Sequence, residues 1–272
     1  MQQPVFSSKG EHTCWSTSEV EFDPALSSSH WEPSNFHRVA RRVIHRNNLL
    51  LLGSLQHIDE VDEVECSSRN VAIAKRRCGG GSVYCDPERF LWVDFIISST
   101  DTLWSDDVAK AALWVGEVWR KVLIQFGLDE ATVFTGKSSR DYFSKKLCYA
   151  GIGAGEVTLG GRKIVGISQR RTRDFAIFST GMLIDYDSKS HCEMMKLSME
   201  DREMALSRLT RNSVSLYELS DCTGQLSKPG PICDFSRLQD HTGQLSEPGP
   251  ICDFSRLQDQ LWKELVQILH LT

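Results

Sequence analysis

Residues Arg76 to Asp86 read RRCGGGSVYCD, and the remainder of the sequence is organised around this glycine-rich stretch. The glycines of the run Gly79 to Gly81 can adopt backbone angles that other residues avoid. A loop of this kind can direct several N–H groups at an anion. Arg76 and Arg77, immediately before it, add charged planar groups that suit a carboxylate or a phosphate. The stretch therefore predicts an anion-binding loop or, as the simpler alternative, a glycine-rich surface turn between solvated arginines.

Apolar segments predict strands on both sides of this loop and further along the chain. Val71 to Ala74 precedes the loop and Val83-Tyr84 follows it, so the loop is expected to lie between two strands. β-Branched, leucine and aromatic residues predict the other strands. These are expected at Leu49–Leu52, Phe90–Ile97, Glu156–Leu159 and Arg162–Gly166, with a strand pair or one bent strand over Phe175–Tyr186.

The segments Glu156–Leu159 and Arg162–Gly166 are joined by a Gly-Gly pair, which is a signal for a tight β-hairpin. The expected register places Thr158 opposite Lys163. It also places Val157 opposite the residue that follows Lys163, Ile164. Because side chains alternate along a strand, Lys163 is expected to point to the opposite face of the sheet from its neighbour.

Helical periodicity is clearest from Asp106 to Phe126, where apolar residues recur at i, i+3 and i+4. Ser105 is suited to cap this helix and Gly127 to end it. Other segments have shorter helical patterns, and one of them fits a helix or an edge strand equally well. The helical segments are Asp59–Glu65, Cys192–Leu209 and Gln260–Leu271, and the ambiguous one is Phe36–Arg46.

The bulk composition, with 40% hydrophobic and 25% charged residues, is that of an ordinary globular protein. A net charge of −5 argues against a general binder of nucleic acid or anionic membranes. The nine cysteines include no C-x-x-C pair, and their odd number fits a reducing cytosol. The first 30 residues have no apolar segment typical of a signal peptide, and the strongest apolar run, Leu49–Leu52, is too short to span a bilayer. A cytoplasmic protein is expected.

The sequence is expected to divide into an arm, a domain and a tail. Residues 1–33 would form a flexible arm, residues 34–220 one domain, and residues 221–272 a tail that ends in a helix. Within the tail, Thr223–Asp240 (TGQLSKPGPICDFSRLQD) recurs as Thr242–Asp259, with Lys228 replaced by Glu247. Two copies do not make a repeat architecture, which needs about three units. A tandem duplication in a tolerant tail is favoured over a selected binding repeat.

Four stretches of the sequence, taken in order, resemble the catalytic domain of the lipoate–protein ligase family, within the biotin and lipoate ligase superfamily. The combination of RR-x-GGG with GRK-[IV]-x-G-x-[AS]-Q-R makes the resemblance specific, and it covers roughly residues 35–215. The four stretches are LLLLGSLQ at 49–56, RRCGGGSVYCDP at 76–87, LCYAGIGAGEVTLGGRKIVGISQRRTR at 147–173 and FSTGMLIDYD at 178–187.

The resemblance implies a mixed α+β domain with a largely antiparallel sheet flanked by helices. It also implies a reaction in two steps. Lipoate or octanoate attacks ATP, with Mg²⁺ as counter-ion, to give an acyl-adenylate and pyrophosphate. The acyl group then passes to a lysine of a lipoyl carrier domain, from a 2-oxoacid dehydrogenase or the glycine cleavage H protein. Neither nucleic acid nor a membrane is expected as a partner, and no metal-ligand set is identified.

Carried over to this sequence, the resemblance makes Lys163 the catalytic lysine, which would reach the acyl carbonyl and phosphate oxygens. Taken alone, a hairpin lysine is more often simply solvated, so the flanking match is what favours a catalytic role. The residues expected to bind the acyl-adenylate lie in the glycine loop and after the catalytic lysine. They are Arg76, Arg77, Cys78, Gly79, Gly80, Gly81, Tyr84, Gly166, Ser168, Gln169 and Arg170.

Cys148 supports a second interpretation. Its setting, LCYAG before EVTLGGRKIVG, resembles acyltransferases of the same superfamily that carry a nucleophilic cysteine there. Such an enzyme would take octanoate from acyl carrier protein as a Cys148 thioester, without ATP. A neighbouring lysine would favour the reactive thiolate. The alternative for Cys148 is a buried cysteine with a structural role only.

A third interpretation is a non-catalytic homologue that binds a lipoylated partner or a small acid. It follows from three positions at which the sequence differs from the family pattern. Cys78 stands where a small hydroxyl residue is usual, and Cys85 stands where a histidine is usual. Thr180-Gly181 stands in place of the family's His-Gly.

Overall fold

The computed structural model describes residues 14–24, 38–139, 141–222 and 254–271. Within them the chain forms a large sheet of seven strands and a small sheet of three. The strands of the large sheet are β1 (Trp15–Glu21), β2 (Arg38–Ile44), β6 (Phe90–Ser98), β7 (Thr132–Val133), β8 (Val157–Leu159), β9 (Arg162–Arg171) and β10 (Phe175–Leu183). Those of the small sheet are β3 (Leu49–Leu52), β4 (Ala72–Lys75) and β5 (Val83–Cys85).

The spatial order in the large sheet is β1-β2-β6-β10-β9-β8-β7, and all neighbours except β1 and β2 run antiparallel. The small sheet has β3 at its centre, parallel to β4 and antiparallel to β5. In the described part of the chain, seven α-helices pack around the two sheets. They are α1 (Glu63–Ser68), α2 (Leu113–Gln125), α3 (Tyr142–Lys146), α4 (Ser188–Glu193), α5 (Met199–Asn212), α6 (Leu216–Cys222) and α7 (Phe254–His270).

Both faces of the large sheet are buried, and the alternation of side chains along β6 shows how. Leu91, Val93 and Phe95 pack into a core that contains α2 and α7. Phe90 and Trp92 point the other way, into a core built from the small sheet, α4 and α5. A strand covered on both sides needs apolar residues at successive positions, which is why β6 reads as an almost continuous apolar run.

These elements confirm the expected α+β class with a largely antiparallel sheet. The strands predicted on both sides of the glycine loop, and those at β3 and β6, are present. The ambiguous segment at β2 is a strand, and it is interior rather than at an edge. The segment after β9 is one strand, β10, and the last helical pattern before the tail is divided into α4 and α5.

The predicted flexible arm is wrong for β1, because this strand lies within it and pairs with β2. Trp15 at its start is 6% exposed, and its ring lies 5.9 Å from that of Phe95. This apolar contact, together with the strand pairing, holds residues that local composition alone marked as loose. Residues 1–13 and 25–37 lie outside the described part of the chain.

The helix expected from Asp106 begins seven residues later, at Leu113. Asp107 instead organises a turn, in which its carboxylate accepts a hydrogen bond from the Ala109 N–H and its carbonyl one from the Ala111 N–H. Ser105 therefore does not cap α2. An Asp that bonds to a backbone N–H two residues ahead competes with helix formation at this point.

The predicted hairpin is present as β8 and β9, and Thr158 does lie opposite Lys163. Val157, however, pairs with Val165 rather than with Ile164, because the register shifts between Val157 and Thr158. Such an irregularity bends a strand and re-aims its side chains. It lies next to Glu156 in the sequence and beside the pairing of Thr158 with Lys163.

The predicted terminal helix is present as α7 and begins at Phe254, inside the second copy of the repeat. Leu257 is buried, and the Asp259 carboxylate accepts a 2.6 Å hydrogen bond from Arg42. The expectation of a tolerant tail is therefore wrong for these last residues of the repeat. The rest of the second copy and all of the first lie outside the described residues. Among those described, no helix is long and apolar enough to cross a membrane.

Candidate active site

A narrow apolar cavity lies between the large and small sheets, with an empty volume of about 360 Å³. Gly166 and Gly181 face each other across β9 and β10 and form part of its wall. A Cβ on Gly181 would come within 2.1 Å of the Phe90 ring, so glycine is needed there to make room for it. Besides these two glycines, the residues that line the cavity are Leu51, Arg76, Val83, Phe90, Trp92, Cys148, Tyr149, Ile167, Ser168, Ser179 and Thr180.

A second, wide cavity adjoins the narrow one and has an empty volume of about 1760 Å³. It is lined mainly by loops, including the glycine loop and the segments 138–139 and 151–153, together with residues of α3. Cys148, Ile167 and Ser168 line both cavities, so the two meet at these residues. Wide-cavity residues named in the sequence analysis are Gly79, Gly80, Gly81, Cys148, Lys163, Ser168 and Gln169.

Close backbone contacts fix the glycine loop. A Cβ on Gly53 would lie 1.9 Å from the Gly80 carbonyl oxygen, so only glycine allows the turn after β3 to approach the loop this closely. Gly80 itself has a φ of 101°, in the left-handed region that favours glycine. One terminal nitrogen of Arg76 donates to the carbonyls of Gly79 and Gly81, at 3.1 and 2.8 Å. Arg76 thus closes the loop on itself as well as lining the narrow cavity.

The loop is joined directly to the segment that carries Cys148. The Ser82 N–H donates to the Lys146 carbonyl at 2.8 Å, and the Cys148 N–H donates to the Ser82 carbonyl at 2.9 Å. Behind them, His191 is fully buried, with its Nε2 2.8 Å from the Ser82 hydroxyl and its Nδ1 2.7 Å from the Tyr186 hydroxyl. Burial lowers the pKa of His191 to about 3. The ring is therefore neutral and serves as a hydrogen-bonded brace between α4 and the loop.

Cys148, Lys163 and Glu156 form the centre of the site. The Lys163 Nζ lies 3.8 Å from the Cys148 sulfur and donates at 2.7 Å to the Cys148 carbonyl. Its charge is balanced by Glu156, whose two oxygens lie 3.1 and 3.0 Å away. Lys163 is 1% exposed and Glu156 4% exposed, whereas Cys148 is partly open to the cavities. A thiol beside a buried ammonium group is an arrangement suited to a nucleophile.

Glu156 is further held by backbone donors. The Gly153 N–H donates to it at 2.7 Å and the Ile167 N–H at 3.1 Å. The carboxylate thus ties the loop before β8 to β9 and orients Lys163 between them. Below Lys163, the Tyr149 ring centroid lies 4.8 Å from the ammonium nitrogen. Its hydroxyl donates to the Gly181 carbonyl at 2.6 Å, across the wall of the narrow cavity.

The other predicted binding residues are not all brought to this centre. A third cavity, on the other side of Arg76, contains Arg77, Cys78 and Arg170 together with Arg41. Burial is the main cause that raises the pKa of the Cys78 thiol, which keeps this thiol protonated. Tyr84 lies on β5 near His191, with ring centroids 6.5 Å apart, and lines none of the three cavities described above.

Sequence reasoning missed Glu156, Ser82 and His191 as members of the site. Glu156 begins the predicted hairpin. A carboxylate on the strand that pairs with the strand of Lys163 could have indicated an ion pair between the two residues. Nothing local to His191 points to the glycine loop, which is 109 residues away. Thr180, where the family carries histidine, turns its hydroxyl to the opposite core, within 3.1 Å of the Trp119 Nε1.

A family model described as the lipoyl protein ligase A/B catalytic domain matches residues 34–223, so the chain belongs to this family. The resemblance noted in the sequence is thereby confirmed. The chain is also 23% identical over 197 residues to a protein described as octanoyltransferase LipM, from Clostridioides difficile (strain 630). That match covers 72% of this chain but only 66% of that protein, just under two thirds of its length.

Solved structures show the same fold. A bipartite lipoate protein ligase described with its E2 lipoyl domain, from Thermoplasma acidophilum, superposes with a TM-score of 0.59 at 17% identity, over 95% of this chain and 85% of its own. A lipoate–protein ligase A bound with ATP superposes with a TM-score of 0.56 at 18% identity, over 95% of this chain and 86% of its own. These likenesses show the fold, and the family match identifies the chain as a member of a family of catalytic domains. Because the similar proteins include ligases and an octanoyltransferase, the family does not by itself decide between the two reactions.

Proposed function

We propose that this chain transfers an octanoyl or similar acyl group from a thioester donor to a lysine of a lipoyl carrier domain, through a thioester on Cys148. The observation that carries the proposal is the position of Cys148. Its sulfur lies 3.8 Å from the Lys163 Nζ, where the narrow apolar cavity and the wide one meet. The similarity to a protein described as an octanoyltransferase supports the same reaction.

In the first half-reaction the Cys148 sulfur attacks the carbonyl carbon of the acyl thioester. A C–S bond to Cys148 forms, the C–S bond to the donor breaks, and the donor sulfur leaves with the proton that Cys148 gave up. The ammonium group of Lys163 stabilises the negative charge on the attacking sulfur, and Glu156 keeps that group in place. The alkyl chain occupies the narrow cavity, between the aliphatic and aromatic side chains of Leu51, Val83 and Trp92.

In the second half-reaction the ε-amine of the carrier lysine attacks the Cys148 thioester. The C–N bond forms, the C–S bond breaks, and a proton from the amine returns to the Cys148 sulfur. The wide cavity is the route for this lysine, because Cys148 lines it and it is the larger of the two cavities. No step consumes ATP. Over the two half-reactions, one donor thioester is broken for each amide bond formed on the carrier.

Intact-mass spectrometry of a lipoyl carrier domain tests the proposal. One reaction contains octanoyl-acyl carrier protein without ATP, and the other contains lipoate, ATP and Mg²⁺. We expect an octanoyl adduct on the carrier in the first reaction, with a hydroxylamine-sensitive adduct on the enzyme that is absent from Cys148→Ala. Cys14→Ser, which alters an exposed cysteine outside the cavities, is the matched control. An adduct only in the second reaction would refute transfer through Cys148.

ATP-dependent ligation is the second candidate. It is favoured by the placement of Gly79 to Gly81 and Lys163 on one wide cavity, as the sequence resemblance requires. Among the described residues, the carboxylates that line this cavity are Glu60 and Glu156, and each is ion-paired with a lysine. They are therefore not presented to Mg²⁺ in this arrangement. The reaction with lipoate, ATP and Mg²⁺ described above measures this activity directly.

A further inference from the structure

A rigid turn displays an exposed leucine at the mouth of the wide cavity. Leu55 is 85% exposed and belongs to the cavity lining. The turn is closed by a reciprocal pair of hydrogen bonds, from the Gly53 N–H to the Gln56 side-chain oxygen and from the Gln56 N–H to the Gly53 carbonyl, both 3.0 Å long. An isolated exposed leucine is ordinary. A leucine held on a preorganised turn beside an active site, however, is well placed to contact a partner protein.

The position of Leu55 is fixed relative to Cys148. The Ser54 N–H donates to the Cys78 carbonyl at 2.9 Å, and the Gln56 side-chain amide donates to the Lys146 carbonyl at 3.1 Å. Lys146 is two residues before Cys148 in the sequence. Gln56 is 4% exposed, so the turn is held from within while its leucine points outward. A partner that rests on Leu55 is thereby placed at a defined distance from the reactive sulfur.

Helix α3 supplies further exposed groups around the same cavity. Tyr142 is 49% exposed, and its ring lies 5.4 Å from the Lys146 ammonium group, which pairs with Glu60. Lys145 is exposed and forms no ion pair with any residue in the described part of the chain. Leu55, Tyr142 and Lys145 together are called the docking rim here. The rim combines an apolar anchor, an aromatic ring and an exposed positive charge.

We propose that the docking rim binds the lipoyl carrier domain that receives the acyl group. This inference rests on the proposed function, in which the carrier lysine must enter through the wide cavity. The partner is a domain with an apolar depression for Leu55 beside its target lysine and with acidic side chains facing Lys145. Apolar anchors supply most of the affinity of such a contact, whereas complementary charges mainly speed association and set orientation.

The test separates the two half-reactions. Acylation of Cys148 by S-octanoyl-N-acetylcysteamine needs no protein partner, whereas transfer to the carrier domain does. For Leu55→Asp we expect the carrier KM to rise at least tenfold, while acylation by the small thioester changes less than twofold. Lys145→Glu should raise the same KM at least threefold and weaken its dependence on salt. Val64→Asp, which alters an 80% exposed residue of α1, is the matched control and should change neither.

Two outcomes would overturn the docking rim. One is a carrier KM for Leu55→Asp within twofold of that for Val64→Asp. The other is slower acylation by octanoyl-acyl carrier protein with unchanged transfer, which would assign the rim to the donor. If Cys148 is not acylated at all, the proposed function fails, but the rim is still tested. Titration of a ¹⁵N-labelled carrier domain should then show weaker binding for Leu55→Asp than for Val64→Asp, and equal binding would overturn it.

Discussion

The two cavities that meet at Cys148 are built in different ways. The narrow cavity is lined largely by strand residues, from β3, β5, β6, β9 and β10. The wide cavity is lined largely by loops, which backbone hydrogen bonds and close glycine contacts hold in place. The register of the strands fixes which side chains form the wall of the narrow cavity. The shape of the wide cavity depends on a few contacts between loops. We infer that the narrow cavity selects the acyl chain and the wide cavity admits macromolecules.

The largest effect is expected where the two cavities join. Lys163→Met should lower acyl transfer by about 10²–10³-fold, because it removes the charge that stabilises the attacking sulfur. It should also lower the free energy of unfolding by about 3–5 kcal/mol, since Glu156 is left buried without its cation. Kinetics of carrier octanoylation and urea unfolding measure the two effects separately.

The double variant Lys163→Met with Glu156→Gln is the control. With the carboxylate neutralised, most of the lost stability should return, while transfer stays as slow as in Lys163→Met. Acyl transfer at the wild-type rate in either variant would show that Lys163 does not take part in the reaction. A double variant no more stable than Lys163→Met would show that the pair is not what stabilises this region.

The loop-built cavity is expected to be sensitive to a single methyl group. Gly53→Ala places a Cβ 1.9 Å from the Gly80 carbonyl oxygen, so the turn and the glycine loop must move apart. A loss of about 2–3 kcal/mol of stability is expected, as for other cases of overpacking, with slower transfer. Gly79→Ala, in the same loop but with nothing within 4 Å of the new atom, should change stability by less than about 0.5 kcal/mol. Equal stability losses for the two would disprove the close contact.

His191 makes the brace behind this loop sensitive to acid. Its pKa falls from 6.5 to about 3 on folding, because the ring is fully buried. Between these values the unfolded chain binds a proton that the folded chain does not, so stability falls as pH decreases from about 6.5. This group alone contributes a slope of about 1.4 kcal/mol per pH unit. Urea unfolding between pH 7 and pH 5 should show a slope that is steeper in the wild type than in His191→Gln by about this amount, because His45, whose pKa burial also lowers, contributes equally to both.

The sequence predicted the elements around the site better than its centre. The β3 run, the strands beside the glycine loop and the pairing of Thr158 with Lys163 follow from local patterns and are present. The register shift next to Thr158, the late start of α2 and the parallel pairing of β1 with β2 depend on contacts between distant residues. The same holds for the His191 brace. Motif resemblance indicated Lys163 and Cys148 as candidates, but only the structure places their side chains 3.8 Å apart.

A substitution in the wall of the narrow cavity is expected to change the selectivity for acyl-chain length rather than the stability of the protein. Gly166→Ala adds a methyl group to its wall, 3.3 Å from the Tyr149 hydroxyl, which is tight but not impossible. The shortened space should favour hexanoyl over octanoyl thioesters by about tenfold relative to wild type, in the range for one methylene in an apolar pocket. Competition between the two thioesters, read by carrier mass, measures the ratio. An unchanged ratio would place the acyl chain elsewhere.

The smallest effect is expected from a deletion within the repeat. Removing residues 241–259 joins Asp240 to Gln260 and restores the same FSRLQD sequence before the rest of α7. The 12 residues left between Cys222 and Phe235 can span the gap, because in the native chain the Tyr217 and Phe254 ring centroids are only 5.9 Å apart. A melting temperature within about 2 °C of wild type is expected, since loop length affects stability only weakly.

Removing residues 242–259 instead keeps His241 and tests whether helix register is what matters. The extra residue rotates the upstream FSRLQD residues by about 100° around the helix axis. Leu238 and Asp240 then no longer occupy the places of Leu257, which is buried, and Asp259, which binds Arg42. Loss of a buried leucine contact costs about 2–5 kcal/mol, and each kcal/mol lowers the melting temperature of a domain this size by about 2–4 °C. A drop of more than about 4 °C is therefore expected for this deletion, and equal melting temperatures for the two would show that the last residues of the repeat do not anchor α7.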